Sequence, residues 1–389
     1  MINSQFSITM HIAINAQLLS DEATYRGAGV SNYSRHLLHQ LGKLTVAQGT
    51  TDQYTAFVNT TSFQADGVGL VTTRLPLAQP LARIIWEQSI LPLRLRQIQA
   101  DLVHGLVNVL PLTTKVPGVV TVHDLSFVHM PEKLRAAKRF YLVHLCRASV
   151  AKAAHIIAVS QQTADDLIHY FGVKASQISV VPNGVASAFT PGDPTAVQNF
   201  RVAKGLPPRF LFYLGTLEPR KNLALLVKAF ARWLAQASGE DRQVKLILAG
   251  AKGWFYTEIF RLVTALGLEQ SVLFPGFIPE TDLPDWYRAA EAFVYPSLFE
   301  GFGLPVLEAM ACGTPVLCSH VASLLEVVGD SALTFAPDSE AELARALALL
   351  AGQAALRAEL RQKGLARAQN FSWQRTAQAT LAVYAGIVG

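Results

Sequence analysis

The strongest constraint in this chain is a rhythm: short, continuously apolar runs alternate with helical stretches, and the series occurs twice. In the first half the runs are HIAINAQLL (11–19), YTAFVN, DLVHGL, GVVTVHD, HIIAVS and ISVVPNGV (178–185). Among the helices between them, 30–44 sets Tyr33, Leu37, Leu38 and Leu41 on one face. Runs that are apolar at every position belong to strands buried on both sides, so the pattern predicts a parallel sheet with helices on both faces. It restarts at RFLFYLGTL (209–217), followed by helix 222–237, strand 244–250, helix 257–266, strand 272–277, helix 282–290, strand AFVYPS, helix 305–312 and strand TPVLCS. A chain of 389 residues is too long for one ordinary core. The expected fold is therefore α/β, with two doubly wound domains at 1–190 and 209–370. A linker rich in Pro and Gly (191–208) joins them, and a C-terminal helical run (371–389) follows. Ligands of such sheets bind at the carboxyl ends of the strands, which points to the cleft between the two domains.

Composition removes several classes. Half of the residues are hydrophobic and 16% are charged, a well-buried globular composition. No run of about 20 uncharged apolar residues is present to span a bilayer. The opening MINSQFSITM lacks the pattern of a secretion signal, and Met10 directly precedes the first strand. Cys146, Cys312 and Cys318 have neither metal-ligand spacing nor an even count, which fits buried thiols in a reducing cytoplasm. Residues 1–190 hold 15 Lys and Arg against 10 Asp and Glu, whereas the remainder holds 18 of each, so the whole net charge of +5 lies in the first half. The stretch 132–152 alone carries six basic residues. A solvated helix face accounts for this; so does an anionic partner, either a membrane surface or a phosphorylated acceptor. Nucleic acid is disfavoured, because stacking aromatics are not interleaved with the cations.

Glycines and cations mark the candidate sites. Gly27 and Gly29 precede the 30–44 helix and could offer backbone N–H groups to an anion. They do not complete a dinucleotide fingerprint, since Asn32 stands at the third glycine and FVNTT ends the second strand without an acidic residue. A P-loop is absent. In LGTLEPRKN (214–222), Arg220 and Lys221 stand at the start of a helix with Asn222 as its cap. Two cations there oppose the helix dipole, an arrangement that an anion such as a diphosphate would make favourable. In SLFEGFGLPVLEAMACG, Pro305 suits the first helical position and Gly313 the stop. Glu300 then falls in the loop and Glu308 in the first turn, while Gly301 and Gly303 let backbone approach a ligand.

The E-x7-E spacing of EGFGLPVLE, with EPRKN before it and GAG near the N-terminus, resembles the retaining glycosyltransferases of family 4. The similarity runs through TVHDLSF, AVSQQTADDL, VVPNGV, LILAG, FPGF and ASLLEVVGDSALTFAPDS in order. The resemblance implies the GT-B architecture of two Rossmann-like domains facing across a cleft, with the C-terminal helix crossing back to the first. It implies that Arg220 and Lys221 hold the donor's diphosphate in place of a divalent cation, helped by N–H groups of Phe302, Gly303 and Leu304 beside Gly301. Glu300 would bind the transferred sugar and Glu308 the ribose. Gly276, Phe277 and Ile278 would lie along the base, with Gly250 on the donor side. Gly27, Ala28 and Gly29 would approach a donor or acceptor phosphate, and His123 would sit beside the sugar. Asn183 and Gly184 would form the turn before the linker. His104 occupies a similar strand end, and for both histidines an ordinary capped strand end is the competing account.

The resemblance implies a nucleotide-sugar co-substrate, no cofactor, no essential metal, and a hexosyl transfer with retention. No nucleophile–acid carboxylate pair is assignable, so front-side displacement is the expected route. GDP-mannose and UDP-glucose remain open as donors, with UDP-GlcNAc behind them. The acceptor is expected to be a saccharide in polysaccharide or glycoconjugate assembly, either lipid-linked or a soluble phosphosugar. The expected location is cytoplasmic or peripheral at the membrane's inner face. A sugar-nucleotide-binding partner subunit without turnover is the rival from another class, and a GT-B epimerase fits E-x7-E poorly.

Overall fold

The computed structural model describes residues 9–20, 29–49, 51–73, 75–77, 79–130, 136–253 and 256–388. Of these, the residues up to 184 and from 373 onward form one compact unit, and 185–372 form another.

The first unit contains strands β1 (His11–Ala16), β2 (Gln53–Val58), β3 (Gly69–Thr72), β4 (Leu102–Gly105), β5 (Gly118–Val122), β6 (His155–Ala158) and β7 (Ile178–Val180). All pairings are parallel, in the order β3-β2-β1-β4-β5-β6-β7. The second unit contains β8 (Phe210–Leu214), β9 (Lys245–Ala249), β10 (Val272–Gly276), β11 (Ala292–Tyr295), β12 (Val316–Ser319) and β13 (Leu333–Phe335). Its parallel order is β10-β9-β8-β11-β12-β13. Both sheets thus run outward in one direction from their first strand and then reverse beside it. In doubly wound sheets such a reversal, here between β1 and β4 and between β8 and β11, is where ligands bind, at the strands' carboxyl ends. Phe210, Leu211, Phe212 and Tyr213 in β8 are all fully buried, as continuous apolar runs require when helices cover both faces. Each such side chain contributes about 1.5–3 kcal/mol by leaving water.

Three expectations need correction. The stretch 191–208 is not an irregular linker, because it contains the helix Pro194–Ala203. Asp193 caps it by accepting from the Ala196 N–H at 2.8 Å, and Pro194 stands in its first turn. That helix is anchored beside Leu283–Ala289 by Arg201, which donates to the Ala289 carbonyl at 2.7 Å, and by a Lys204–Asp282 ion pair at 2.8 Å. Glu308 lies in the second turn of its helix rather than the first, since the helix spans Leu304–Ala311 with Leu304 first and Pro305 next. Asn222 makes no side-chain cap; its backbone is left-handed (φ 55°) and its Nδ2 donates to the Pro337 carbonyl at 2.8 Å. The edge strands β3 and β13 were not anticipated.

The C-terminal helix Trp373–Val388 belongs to the first unit. His104, wholly buried in β4, bonds Tyr384 Oη through Nδ1 at 2.6 Å and Thr121 Oγ1 through Nε2 at 2.8 Å. Thr376 donates to the Pro182 carbonyl at 2.7 Å, and Trp373 stacks on His36 with centroids 5.0 Å apart.

In the second unit the ends of β8, β9 and β10 are drawn together through glycine. Gly250 (φ 137°) donates to the Gly276 carbonyl at 2.8 Å, and a Cβ on it would collide with the Gly215 carbonyl oxygen. Backbone strain and collision act together there, so Gly250→Ala is expected to destabilise the protein by about 3 kcal/mol. Urea unfolding checks this, and a loss under about 0.5 kcal/mol would contradict the close approach.

Candidate active site

The β8–β11 reversal brings together the two loops that carry the strongest sequence signals. After β8 the chain forms a single 3-10 turn, Pro219–Lys221, and then the helix Leu223–Leu234. After β11 it loops through Glu300 to Gly303 and enters Leu304–Ala311. Leu298 N–H donates to the Arg220 carbonyl at 3.0 Å, and Arg220 Nη1 donates to the Phe299 carbonyl at 3.0 Å. The loops are therefore fastened to one another before any ligand arrives.

Glu300 lies between the two cations. Lys221 Nζ is 2.5 Å from Oε1 and Arg220 Nη1 is 3.2 Å from Oε2. Lys221 Nζ also donates to Tyr295 Oη at 2.7 Å, and Arg220 Nε reaches Glu218 Oε1 at 3.1 Å. Lys221 and Glu300 are only 6% and 8% exposed, so water cannot replace these partners. Burial alone would raise the Glu300 carboxyl's pKa. Lys221 and Arg220 overcome that and hold it at about 2. The Lys221 ammonium is lowered by burial and by Arg220, against the pull of Glu300 and Glu218.

The amides of the second loop are poised for an anion. Gly303 precedes the helix with φ 106°, and a Cβ there would run into Leu324 Cδ2. Among the described residues, the N–H groups of Phe302, Gly303 and Leu304 make no hydrogen bond. They form the open, positive end of that helix. Gly301 and Phe302 are buried. In the helix itself, Glu308 Oε2 accepts from Tyr287 Oη at 2.8 Å. Burial lifts the Glu308 carboxyl to about 8, with the Tyr287 bond opposing and Glu280 assisting. At the end of β10, Gly276 has φ 83°, Phe277 is exposed and Ile278 is buried.

The remaining sequence candidates lie in the first unit. His123 donates through Nε2 to the Leu106 carbonyl at 2.8 Å, and its backbone N–H donates to Asn108 Oδ1 at 3.2 Å. Burial lowers its pKa against the effects of Leu106 and Asp124, leaving a neutral ring with Nδ1 as its acceptor. His104 has both nitrogens engaged in the core and serves structure, as the strand-end account allows. Gly29 (φ 56°) precedes the Val30–Gln48 helix, whereas Gly27 and Ala28 lie outside the described residues. Sequence reasoning missed Tyr295, Glu218 and Tyr287, which orient Lys221, Arg220 and Glu308. A tyrosine in an apolar strand or helix reads as core, and nothing local shows where its hydroxyl points.

The second unit thus sets Lys221, which is buried, and Arg220, which is half-buried, beside open amides at its sheet reversal, an arrangement that could accept an anion. The description "Glycosyltransferase Family 4" matches residues 27–189, and "Glycosyl transferases group 1" matches 196–367. The O-antigen chain mannosyltransferase B of Escherichia coli is 35% identical over 273 residues, covering 69% of this chain and 70% of that protein. A D-inositol 3-phosphate glycosyltransferase of Catenulispora acidiphila is 35% identical over 246 residues, 60% of this chain and 56% of the relative. In fold, sucrose-phosphate synthase from Thermosynechococcus elongatus superposes with a TM-score of 0.79 at 23% identity, covering 97% of this chain and 99% of that one. The chain belongs to the group 1, family 4 glycosyltransferases and has the GT-B fold.

Removing one partner of a buried ion pair strands the other, so Glu300→Gln should cost about 3–5 kcal/mol near pH 7. The Glu300 carboxyl is depressed in the folded state, so its contribution is present above the ordinary carboxylate range and lost as pH falls from about 4.5 toward about 2. The gap between wild type and Glu300→Gln in denaturant titrations should accordingly close over that interval. A gap that is constant from pH 7 to pH 2.5 would show that the carboxylate charge does not matter.

Proposed function

We propose that this chain transfers a mannosyl group, with retention of anomeric configuration, from GDP-mannose to a saccharide acceptor. The observation that carries the proposal is the Arg220–Lys221 pair, held against Glu300 beside the free N–H groups of Phe302, Gly303 and Leu304. Cations and amide dipoles fixed in a buried setting stabilise charge on a departing diphosphate without having to reorganise. Glu300 lies within reach of both cations and would take the sugar's hydroxyls. Glu308 would take those of the ribose, and Gly250 and Gly276–Ile278 would flank the nucleotide. In the first unit, His123 would present Nδ1 to a sugar hydroxyl, and Gly29 would approach a phosphate. Relatives named as mannosyltransferases support mannose as the group transferred.

In the reaction, the bond from C1 to the diphosphate oxygen breaks and a bond from C1 to the acceptor oxygen forms on the same face. The acceptor's proton passes to a donor phosphate oxygen, so no protein nucleophile is required. Arg220 and Lys221 take up the charge that the leaving group gains. The roles of Arg220 and Lys221 require no divalent cation, and activity is expected to survive EDTA.

The test is release of nucleoside diphosphate from GDP-mannose, UDP-glucose and UDP-GlcNAc with mannosyl acceptors, together with NMR assignment of the product's anomer. Arg220→Ala and Lys221→Ala should each lower kcat by about 10²–10³-fold, or about 2.7–4 kcal/mol. An inverted linkage, or full activity in both variants, would exclude the mechanism; tight binding of nucleotide without turnover would point instead to a partner subunit.

Glu308 gives an independent check. Its carboxyl is protonated below about 8 in the free protein, whereas ribose hydroxyls favour the ionised form. Nucleotide binding at pH 7 should therefore release close to one proton, and at pH 9 almost none. Titration calorimetry in buffers of different ionisation enthalpy measures this, and proton uptake at pH 7 would be the wrong sign.

A further inference from the structure

The first sheet has its own reversal, between β1 and β4, and the polar groups there are unlike those of the second unit. Asn15 lies in β1 and Gln17 just beyond it; they are 6% and 4% exposed. Glu87, 5% exposed, is carried by a π-helical turn, Trp86–Ile90, inserted between the helices Pro80–Ile85 and Leu91–Gln97. Such turns widen a helix locally, redirect its side chains and recur at functional sites. Asn15 Nδ2 donates to Glu87 Oε1 at 3.0 Å, and Gln17 Nε2 donates to Thr73 Oγ1 at 3.2 Å. One N–H of each amide is thus used within the protein. Among the described residues, Asn15 Oδ1, Gln17 Oε1 and Glu87 Oε2 find no hydrogen-bond partner.

Three buried oxygens without donors at one strand end are an unsatisfied demand, since folding has taken each from water with nothing returned. They also lie where a doubly wound sheet takes its ligand. We propose that Asn15, Gln17 and Glu87 form a subsite that binds the hydroxyl groups of an uncharged sugar ring of the acceptor. The subsite rests on the proposed sugar transfer, because it assigns the acceptor's chemistry within that reaction. A phosphate dianion is a poor fit, because its oxygens can only accept and would leave Asn15 Oδ1 and Gln17 Oε1 without donors whatever the protonation of Glu87. Burial raises the Glu87 carboxyl, against the effects of Arg83 and the Asn15 amide. A sugar hydroxyl both donates and accepts, and so suits either protonation state of that carboxyl. The basic surplus of the first half therefore does not define this subsite.

The test uses saturation-transfer NMR on the full-length protein with GDP or UDP present. The probes are the methyl α-glycosides of mannose, glucose, galactose and N-acetylglucosamine, set against mannose 6-phosphate and D-inositol 3-phosphate. At least one neutral glycoside should bind more tightly than either phosphate. Its Kd should rise at least tenfold in Gln17→Met and in Glu87→Met, while the nucleotide's Kd stays within twofold. Gln17→Met removes the unpartnered Oε1 at the loss of one bond, to the half-buried Thr73, and keeps a side chain of similar size, so its melting temperature should stay close to the parent's, and it decides the matter if Glu87→Met fails to fold. Preferential binding of the phosphates, or glycoside binding indifferent to both substitutions, overturns the subsite. Absence of glycoside binding together with a lower melting temperature for Gln17→Met also overturns it, because the oxygens then serve a structural water. If neither nucleotide binds, the transferase proposal falls on its own, and the subsite stands or falls on the glycosides.

Discussion

The second unit is organised around a carboxylate buried between two cations. Glu300 holds Lys221 and Arg220 in position where neither helix propensity nor solvation would keep them. Two positive side chains beside the start of a helix oppose its dipole and would ordinarily swing outward. Here the backbone bonds between the loops, Tyr295 and Glu218 fix their heads from the other sides. Burial makes each interaction strong and makes the loss of any one expensive. The same cluster thus fastens both loops at the reversal and keeps two cations beside the open amides.

The two sheets share a strand order but not a chemistry. In the second, the reversal is lined by cations and open amides, suited to a diphosphate. In the first, the corresponding position has amide and carboxyl oxygens with, among the described residues, no cation bonded to them. One architecture thus sets two kinds of polar group at its strand ends, cations with open amides in one sheet and unpartnered oxygens in the other. Sheets of this order permit that division because the loops, not the strands, supply the specific groups.

Much of this was legible in the sequence. The apolar runs marked eleven of the thirteen strands, because a strand buried on both faces has no freedom to be polar. The two that escaped, β3 and β13, are short edge strands with mixed exposure, and they lack that signature. Within 191–208 the density of proline and glycine concealed a helix, although Asp193–Pro194 is a proper helix start. Arg220, Lys221 and Glu300 stood out because their residue types were wrong for their local setting. Which carboxylate pairs with which cation was not legible, since residues about 80 positions apart meet only when β11 inserts beside β8. Asn15, Gln17 and Glu87 were invisible for the same reason: each is unremarkable alone, and the shortage of donors exists only in the folded arrangement.

The C-terminal helix carries a consequence for how the protein is made. Because Trp373–Val388 packs with residues before 184, the second unit is an insertion within the first, and the polypeptide leaves and re-enters between 184 and 373. His104 bonds Tyr384, 280 residues further along, so its ring is satisfied only after the whole second unit has been synthesised. Residues 185–372 are thus synthesised in full before the first unit receives the helix Trp373–Val388. A chain cut before Trp373 would therefore keep residues 185–372 and leave His104 without its Tyr384 partner.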